Sequence, residues 1–406
     1  MSVLGTKGYE RTLDEMKSQL GSVLGWKTDD DVPSASALCQ ARRKLDAATC
    51  TELVSQVYEL CRTARSHADV GYGGYRLLAI DGTKLALPAY APLTKHFGCP
   101  SNGDGKALGG PQAALTVLWD VGANQPVGWR VGPYRVSEQA HATELVTTMG
   151  VGDLVIGDRY FPSRRLLTQM HKRQAQVLMR VRTSSALSEV TDFLASGAED
   201  QVINLASRDE HDRPDQADPI LPVRLMRTAL PDGTIAVFLT SLIDAQQHPR
   251  QALIDLYTQR WRIETAFREL KIWHGLERFH ARHVDGIAQE IAAVMLFQLL
   301  ASELEAQIRQ RNSEQHDSSA EDGTTPRTLR LPRIRFNRRI VADCAVRLLF
   351  VAAAEGNLED AYRYAVFRIW RYRQTIQPGR TFPRQRKTSH RGWKPRGIKG
   401  RKKGLA

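Results

Sequence analysis

The sequence is poor in cysteine and lacks the paired spacings that cysteine shows in structural sites. There is no Cys-x-x-Cys pair among its five cysteines, Cys39, Cys50, Cys61, Cys99 and Cys344. Disulfide frameworks and zinc knuckles need cysteines at regular short spacings. The sequence therefore argues against both kinds of site.

Long apolar runs are also missing. The most apolar stretch, residues 287–304, is interrupted by Gln289, Glu290, Gln298 and Glu303, so we do not expect it to span a membrane. The first residues, MSVLGTKGYERTLDEMK, contain no apolar signal core followed by a cleavage site. We therefore expect a cytoplasmic protein with no membrane partner.

Positive charge is present in excess and is concentrated near the C-terminus. Residues 327–406 carry 17 Arg and 5 Lys against four acidic residues, a net charge of +18 in a chain whose total is +13. The rest of the chain therefore has a net charge of −5. Such local basic charge is typical of a surface that binds a polyanion, nucleic acid first of all. An anionic membrane is the alternative, weakened by the lack of an apolar helix face in the final tail.

The pattern of apolar residues predicts a helical N-terminal domain followed by a mixed α/β region. Residues 10–67 have helical spacing, with Ser34 or Ser36 as a possible cap, and we expect the helical domain of residues 1–70 to bind DNA. Helices are also expected at 137–149 and 162–173. Short apolar runs predict strands at 75–88, 113–121, 126–136, 153–161 and 175–182. Strands first and then alternating strands and helices favour a mixed α/β sheet.

The second half of the chain predicts an insertion, further helices and a basic end. Residues 183–235 contain the hairpin PVRLMRTAL and TIAVFLTSL around Pro231–Asp232–Gly233, which indicates a β-rich insertion. A long helix is expected at 249–273 and an apolar one at 285–308. The predicted division is a core of 71–182 and 236–308, the insertion 183–235, a linker 309–326, and a basic DNA-binding region and tail 327–406 with one helical stretch at about 341–375.

Two aspartates occupy positions that suit metal ligands. Asp81 follows the apolar run YRLLAI and Asp158 follows DLVIG. A carboxylate just past a buried strand lies at the edge of a rigid sheet. The alternative interpretation of each is a turn-forming aspartate, which is common after a strand.

A helix supplies a third acidic residue together with cations. In LYTQRWRIETAFRELK, the residues Tyr257, Arg260, Glu264 and Lys271 fall on one stripe of a regular helix, beside an apolar face. Glu264 could then join the two aspartates, and Arg260 and Lys271 could hold phosphate. The alternative is a solvated helix face on which Glu264 pairs with Arg260 or Arg268.

Three carboxylates together suit two-metal phosphoryl transfer. Two Mg²⁺ ions about 3.5–4 Å apart need hard oxygen ligands. Such ions activate an attacking water or 3′-hydroxyl and stabilise the leaving oxygen, while nearby cations hold the phosphate.

These motifs resemble the IS4 family of bacterial DDE transposases. The resemblance rests on Asp81 in "IDGT", Asp158 in "GDRYFPS" and Glu264 in the pattern Y-x2-R-x3-E-x6-K. The stretches SASALCQARRKL and RTFPRQRK are similar to that family's N-terminal domain and basic C-terminal end, so the resemblance extends over nearly the whole chain. The chain departs from the family at Tyr160, where members commonly have Gly.

The resemblance implies a fold, an activity and partners. The expected fold is α/β, with a ribonuclease H-like (retroviral-integrase-like) catalytic core and a β-rich insertion. The expected enzyme is a DDE transposase that binds two Mg²⁺ ions, replaceable by Mn²⁺, at Asp81, Asp158 and Glu264. It would perform cut-and-paste transposition through nicking, hairpin formation and opening, and strand transfer. The DNA contacts expected are Tyr257, Arg260, Lys271, Arg268 and Arg159.

The partners implied are double-stranded DNA, as terminal inverted repeats and as target, and a second copy of the chain in a dimer on DNA. The setting implied is the bacterial cytoplasm, at the nucleoid. Two alternatives keep the fold: a catalytically silent DNA-binding protein derived from a transposase, and a structure-specific nuclease. A carboxylate-pair glycosidase does not explain the basic tail.

Overall fold

Three helices form the N-terminal part of the chain. The computed structural model describes residues 8–21, 33–64, 71–102, 107–184, 187–206, 220–230, 232–319, 334–353 and 355–375. Helix α1 spans Tyr9–Leu20, α2 spans Ala35–Lys44 and α3 spans Ala47–Ala64. Ser34 caps α2, because its hydroxyl oxygen accepts a hydrogen bond from the Ala37 N–H. The described part of residues 1–70 is helical, and the predicted basic tail beyond residue 375 lies outside the described residues.

One nine-stranded sheet forms the centre of the structure. Its strands are β1 (Gly71–Tyr72), β2 (Tyr75–Ala86), β3 (Gln112–Asp120), β4 (Gln125–Pro133), β5 (Asp153–Gly157), β6 (Gln176–Val181), β7 (Asp200–Ala206), β8 (Ile220–Ala229) and β9 (Ile235–Thr240). Their order is β4-β3-β2-β5-β6-β9-β8-β7, and β1 pairs with β2. The five strands predicted before residue 183 are all present, with shifted ends.

Strands β2 to β6 have the ribonuclease H-like arrangement. Strands β2, β3 and β4 form an antiparallel meander. Strand β5 then pairs in parallel with β2, and β6 pairs in parallel with β5. Leu77 to Ile80 of β2 and all of β5 are buried, as expected for strands covered on both faces. The predicted α/β fold class is confirmed.

The insertion continues the core sheet. Strand β9 pairs antiparallel with β6, β8 pairs with β9, and β7 pairs with β8. The predicted hairpin is formed by β8 and β9. One helix, Ser188–Ser196, precedes these strands within the insertion. The insertion is β-rich as predicted, but its strands are hydrogen-bonded to the core and do not form a separate sheet.

Helices cover the sheet and carry the segment with Glu264. They are α4 (Ala91–Phe97), α5 (Glu138–Leu145), α6 (Arg164–Lys172), α7 (Ser188–Ser196), α8 (Arg250–Tyr257), α9 (Trp261–Ile272) and α10 (Val284–Ser319). Helix α5 lies on β3 and β4, where the buried His141 Nδ1 is 3.1 Å from Thr116 Oγ1. Helix α9 lies against β2, and α10 contacts β4 and α3.

Helix α10 is the longest helix of the described chain. Over Val284–Arg311 it is long and apolar enough to cross a membrane, but 67% of its most apolar 18-residue stretch is buried within the protein. That burial is typical of a core helix. Residues 309–319, predicted as part of a linker, continue this helix, and residues 320–326 lie outside the described residues. Arg42 of α2 joins the N-terminal helices to α10 through an ion pair with Glu290 at 3.0 Å.

A small helical unit follows α10. It comprises β10 (Ile334–Arg335), α11 (Arg338–Ala353), α12 (Leu358–Arg371) and β11 (Gln374–Thr375), and β10 pairs with β11. The prediction of one continuous helical stretch at 341–375 was wrong, because two helices, α11 and α12, occupy this region. The chain breaks at Glu355, where φ is +47°, and Asn357 caps α12 by accepting a hydrogen bond from the Asp360 N–H.

Candidate active site

Two aspartates come together because the strands that carry them run parallel. The last pair between β2 and β5 is Ile80 with Gly157. Asp81 and Asp158 are the next residues, at the carboxyl edge of the parallel strands, where α/β proteins form their sites. The sequence suggested that Asp81 follows the end of its strand. It lies within the strand, because β2 continues along β3 to Ala86.

Asp81 has a perturbed environment. Its side chain is 15% exposed, and its Oδ1 accepts a hydrogen bond of 2.9 Å from the Gly82 N–H. Burial is the main cause that raises the pKa of Asp81 to about 7. The carboxylates of Asp158 and Glu138 act in the same direction, against the Gly82 N–H and the Arg260 guanidinium. A carboxyl shifted in this way by burial and by neighbouring charges is typical of a functional site.

Arg260 links the third carboxylate to the first. Its Nη2 lies 2.7 Å from Oε1 of Glu264, and its Nη1 lies 3.5 Å from Oδ2 of Asp81. The Arg260 side chain is only 11% exposed. The ion pair between Glu264 and Arg260, which was the alternative interpretation of the sequence, therefore forms. Arg260 also contacts Asp81 at the sheet edge, so the pair does not lie on a solvated helix face. The structure brings Asp81, Asp158 and Glu264 to one region.

The helix that carries Glu264 is not continuous. The predicted helix at 249–273 is interrupted between α8 and α9 by a 3₁₀ turn, Thr258–Arg260. Since a 3₁₀ turn has about three residues per turn, Tyr257 and Arg260 stay on the same side, and the Arg260 guanidinium carbon lies 5.9 Å from the centre of the Tyr257 ring. The same ring packs edge-on against Phe238 with centroids 4.9 Å apart. Burial is the main cause that raises the pKa of Tyr257 to about 12, and the Asp158 charge acts in the same direction.

The other predicted DNA contacts occupy different places. Lys271 Nζ donates a hydrogen bond of 2.8 Å to the Lys84 carbonyl oxygen, three residues past Asp81 on β2, and lies 3.1 Å from Glu277. Arg159 is exposed next to Asp158 and has no hydrogen bond or ion pair within the described chain. Arg268 is exposed and donates to Thr265 Oγ1 at 3.3 Å on its own helix, so no described contact brings it to the carboxylates.

The structure adds a fourth carboxylate that the sequence analysis missed. Glu138 is the first residue of α5, and its carboxyl group packs on Gly82, where an added Cβ would lie 2.4 Å from Glu138 Cδ. Burial raises the pKa of Glu138, and the Asp158 charge acts in the same direction. An acidic residue in the first turn after a capping serine is common in helices. The sequence pattern alone therefore did not distinguish Glu138.

A cavity of about 1110 Å³ opens beside Asp158. It is lined by the start of α5, the loop after β5, the start of α6 and the segment after β6. Its basic side chains are Lys84, Arg159, Arg164, Arg165 and Arg182. Among these only Arg159 was predicted to contact DNA, because the others are brought together by the fold.

The donor set suits a divalent cation. Carboxylate oxygens are the hard ligands that Mg²⁺ and Mn²⁺ prefer. Across the described ranges, no three His, Cys, Asp or Glu side chains already lie at the spacing of a metal centre. One Glu264 oxygen is engaged by Arg260. The residues therefore fit the ion chemically, and Arg260 has to release Glu264 before that oxygen can be a ligand.

Comparison with known families agrees with this geometry. The model of the transposase DDE domain matches residues 72–300, more than half of the chain. The chain belongs to the DDE-domain transposase family. The matched range of this transposase contains Asp81, Asp158 and Glu264.

Two curated relatives support the same placement. Transposase InsG for insertion sequence element IS4, from Escherichia coli strain K12, is 26% identical over 246 residues, which are 58% of this chain and 52% of the relative. Putative transposase InsZ from the same organism is 26% identical over 138 residues, which are 34% of this chain and 46% of the relative. The expected membership of the IS4 family is confirmed. The transposase spans about half the length of the curated relatives it matches.

Among solved structures, the piggyBac transposase synaptic complex with hairpin DNA is similar over 75% of this chain and 59% of that chain. The sequence identity is 13% and the TM-score is 0.39. A likeness of that strength supports no statement about the site.

Proposed function

We propose that this transposase cuts and rejoins DNA by phosphoryl transfer at the ends of an insertion sequence. The observation that carries the proposal is the pairing of Ile80 with Gly157, which sets Asp81 beside Asp158. Arg260 then joins Glu264 to the same place. Membership of the DDE family supports the assignment.

The catalytic residues of the proposal are Asp81, Asp158 and Glu264, which would hold two Mg²⁺ ions, with Mn²⁺ as a substitute. When bound, such ions activate the attacking water or 3′-hydroxyl and stabilise the leaving oxygen. The protein presents Asp81 and Asp158 from a buried sheet edge, and Glu264 would join them from α9 once Arg260 releases it.

The cations of the site would hold the DNA backbone. Arg260 offers a planar fork that matches phosphate, and Lys271 offers a point charge. Tyr257, Arg159 and Arg268 are the further contacts of the proposal. Because the Arg260 guanidinium lies between Asp81 and Glu264, its movement onto a phosphate would free the Glu264 carboxylate. DNA binding would then complete the ligand set.

The proposed reaction sequence is nicking at the terminal inverted repeats, hairpin formation, hairpin opening and strand transfer into target DNA. Two copies of the chain would act together as a homodimer on double-stranded DNA, in the bacterial cytoplasm at the nucleoid. The relatives named as insertion-sequence transposases support this setting.

One observation favours a second candidate. Glu264 is paired with Arg260 at 2.7 Å, which is also the arrangement of a catalytically silent DNA-binding protein derived from a transposase. A structure-specific nuclease on the same fold is a third candidate, and it differs from the first in giving no joined products.

The test compares wild type with Glu264→Gln on labelled duplexes that carry the element's own terminal repeats, with and without Mg²⁺. The matched control is Glu144→Gln, the same substitution at a glutamate whose side chain is 60% exposed and pairs with Arg130. We expect wild type and the control to nick and form hairpins only with Mg²⁺. Glu264→Gln is expected to bind with wild-type affinity and to cut at least roughly 100-fold more slowly.

The other outcomes select the alternatives. Binding without cutting by every protein identifies the silent DNA-binding protein. Cutting without joined products identifies the nuclease. Wild-type cutting by Glu264→Gln shows that Glu264 is not a ligand.

A further inference from the structure

The cavity beside Asp158 is strongly basic. Five basic side chains line it, against the one acidic side chain of Glu138. Arg164 is engaged by Glu189 through two contacts, of 3.0 and 2.8 Å. The helices α5 and α6 also begin at its wall, where Ser137 and Ser163 are their capping residues. Helix N-termini add partial positive charge, so the cavity is suited to an anion with several charges.

An aromatic ring stands on the wall of this cavity. Tyr160 is 52% exposed, and the guanidinium carbon of Arg182 lies 4.0 Å from the centre of its ring. Both residues line the cavity. An arginine placed over an aromatic face is a favourable contact that leaves the ring available for stacking on its exposed side.

The backbone of Tyr160 is held by hydrogen bonds on both sides. The Tyr160 N–H donates a hydrogen bond of 2.8 Å to Asp158 Oδ1, and its carbonyl oxygen accepts one of 2.5 Å from Gln139 Nε2 of α5. The next residue, Phe161, is completely buried. The Tyr160 backbone is therefore anchored two residues from Asp158, and the Arg182 guanidinium covers its ring.

The size and chemistry of the cavity indicate its occupant. Its volume of about 1110 Å³ is at the upper end of the roughly 300–1,000 Å³ of ligand pockets, which leaves room for a short polymer segment. Cations that follow a backbone, combined with an exposed aromatic ring, are typical of sites for single-stranded nucleic acid, because any unpaired base can stack on the ring. In a duplex the bases stack on each other, so a duplex would contact the cations and leave the ring unused.

We propose that this cavity is a groove for single-stranded DNA, in which a base stacks on Tyr160 and the backbone contacts Lys84, Arg159 and Arg165. Arg159 and Tyr160 on its wall directly follow Asp158 in the chain, so the bound strand would be one that has been separated from its partner next to the proposed cutting site. The proposal rests on the proposed function in one respect, that DNA is the polymer brought to Asp158.

The test measures binding without cutting. The full-length chain is titrated, in EDTA, into a fluorescein-labelled oligothymidylate of about 12 nucleotides, a length within the range of single-strand sites, and into a duplex of the same length. The variants are Tyr160→Ala, Tyr160→Phe and Arg182→Ala. The matched control is Tyr90→Ala, which removes another partly exposed tyrosine under an arginine, Arg282 at 5.0 Å, outside the cavity lining.

We expect Tyr160→Ala to weaken binding of the single strand by about tenfold and binding of the duplex by less than about twofold. Arg182→Ala also removes a cation and is expected to weaken binding of both. Tyr160→Phe keeps the ring and is expected to bind like wild type, as is Tyr90→Ala. Thermal melting checks that each variant is folded, and Tyr160→Leu, which also removes the aromatic ring, replaces Tyr160→Ala if that variant is not.

Three outcomes would overturn the groove. The first is a single-strand affinity that is unchanged in Tyr160→Ala. The second is equal weakening of single-strand and duplex binding in Tyr160→Ala, and the third is weakening of single-strand binding in Tyr90→Ala by as much as in Tyr160→Ala. The cutting assay is read separately. A wild type that binds single strands through Tyr160 but cuts nothing leaves the groove standing and the proposed function wrong. If the wild type cuts and Tyr160→Ala still binds single strands normally, the groove is wrong and the proposed function stands.

Discussion

Arg260 lies 2.7 Å from Glu264, one helical turn before it. The same guanidinium reaches to 3.5 Å from Asp81 on strand β2. One cation therefore balances two of the three carboxylates proposed as ligands. Substitutions of Arg260 and of Asp81 are therefore expected to change the pH dependence of cutting and the stability of the fold.

Replacing Arg260 by glutamine is expected to move the pH dependence of cutting. Arg260 lowers the pKa of Asp81, which is about 7 in its presence. Removal of the positive charge favours the neutral acid, so the pKa of Asp81 rises and the acid limb of the pH profile moves to higher pH. At pH 7 the rate is expected to fall by about 100-fold. Single-turnover cutting measured across pH checks this.

The control for that experiment is Arg262→Gln on the same helix. Arg262 donates a hydrogen bond of 3.1 Å to the Val121 carbonyl oxygen. Its profile is expected to match wild type. An Arg260→Gln profile with an unmoved acid limb would contradict the electrostatic role of Arg260.

Asp81→Asn is expected to stabilise the fold in the absence of divalent ions at high pH. The folded pKa of Asp81, about 7, lies above the unfolded value of about 3.9. The folded state thus binds the proton more tightly, and wild-type stability falls as the pH rises between these two values and stays low above them. At pH 8 the variant is expected to be more stable by up to about 4 kcal/mol, and at pH 4 the two proteins should be similar.

Urea unfolding in EDTA at the two pH values measures this difference. Added Mg²⁺ is expected to stabilise wild type and not Asp81→Asn, because a ligand that binds only the folded state raises its stability. A variant less stable than wild type at pH 8 would show that the Asp81 charge is compensated in the folded protein.

Arg42→Ala is expected to release the N-terminal helices from α10. The Arg42 guanidinium contacts Glu290 at 3.0 Å, Gln289 at 3.2 Å and the Gly286 carbonyl oxygen at 3.1 Å. The side chains of this pair are 20% and 10% exposed, so removing Arg42 is expected to cost less than the roughly 3–5 kcal/mol of a fully buried pair. Limited proteolysis should then cut before α3 faster than in wild type. The exposed Arg62, paired with Glu59, is the control position, where alanine should have little effect.

Deleting residues 376–406 is expected to reduce the salt dependence of DNA binding. This segment contains 11 Lys and Arg residues and no acidic residue. The slope of log affinity against log salt becomes shallower by about 0.9 for each phosphate that the shortened chain no longer neutralises. Titrations of duplex DNA at several salt concentrations measure the slope. An unchanged slope would assign the main backbone contacts to residues 1–375.

Much of the sheet was predictable because its strands are short apolar runs bounded by polar residues. The two aspartates were found for the same reason, since Asp81 and Asp158 each follow such a run. Their proximity depends on the parallel register of β2 and β5, which no local sequence pattern predicts. The 3₁₀ turn before α9 was missed, because Thr258 to Arg260 have no residue that forbids a regular helix. Tyr257 nevertheless stays beside Arg260, whose guanidinium carbon is 5.9 Å from the centre of its ring, and it also packs against Phe238.

The residues of the groove could not be found by pattern. Lys84, Tyr160 and Arg182 are far apart in the chain and meet at the carboxyl edge of β2, β5 and β6. Each has an ordinary local context. Only the topology, which orders the strands differently from the sequence, brings them to one wall.

The continuity of the sheet also limits how the protein can move. Strand β9 joins the insertion strands β7 and β8 to β6 by a ladder of backbone hydrogen bonds. The insertion and the strands beside Asp81 and Asp158 consequently belong to one sheet, in which bending would break backbone hydrogen bonds. A change in the distance between this sheet and Glu264 is therefore expected at the 3₁₀ turn between α8 and α9, since such turns within helices often mark hinges.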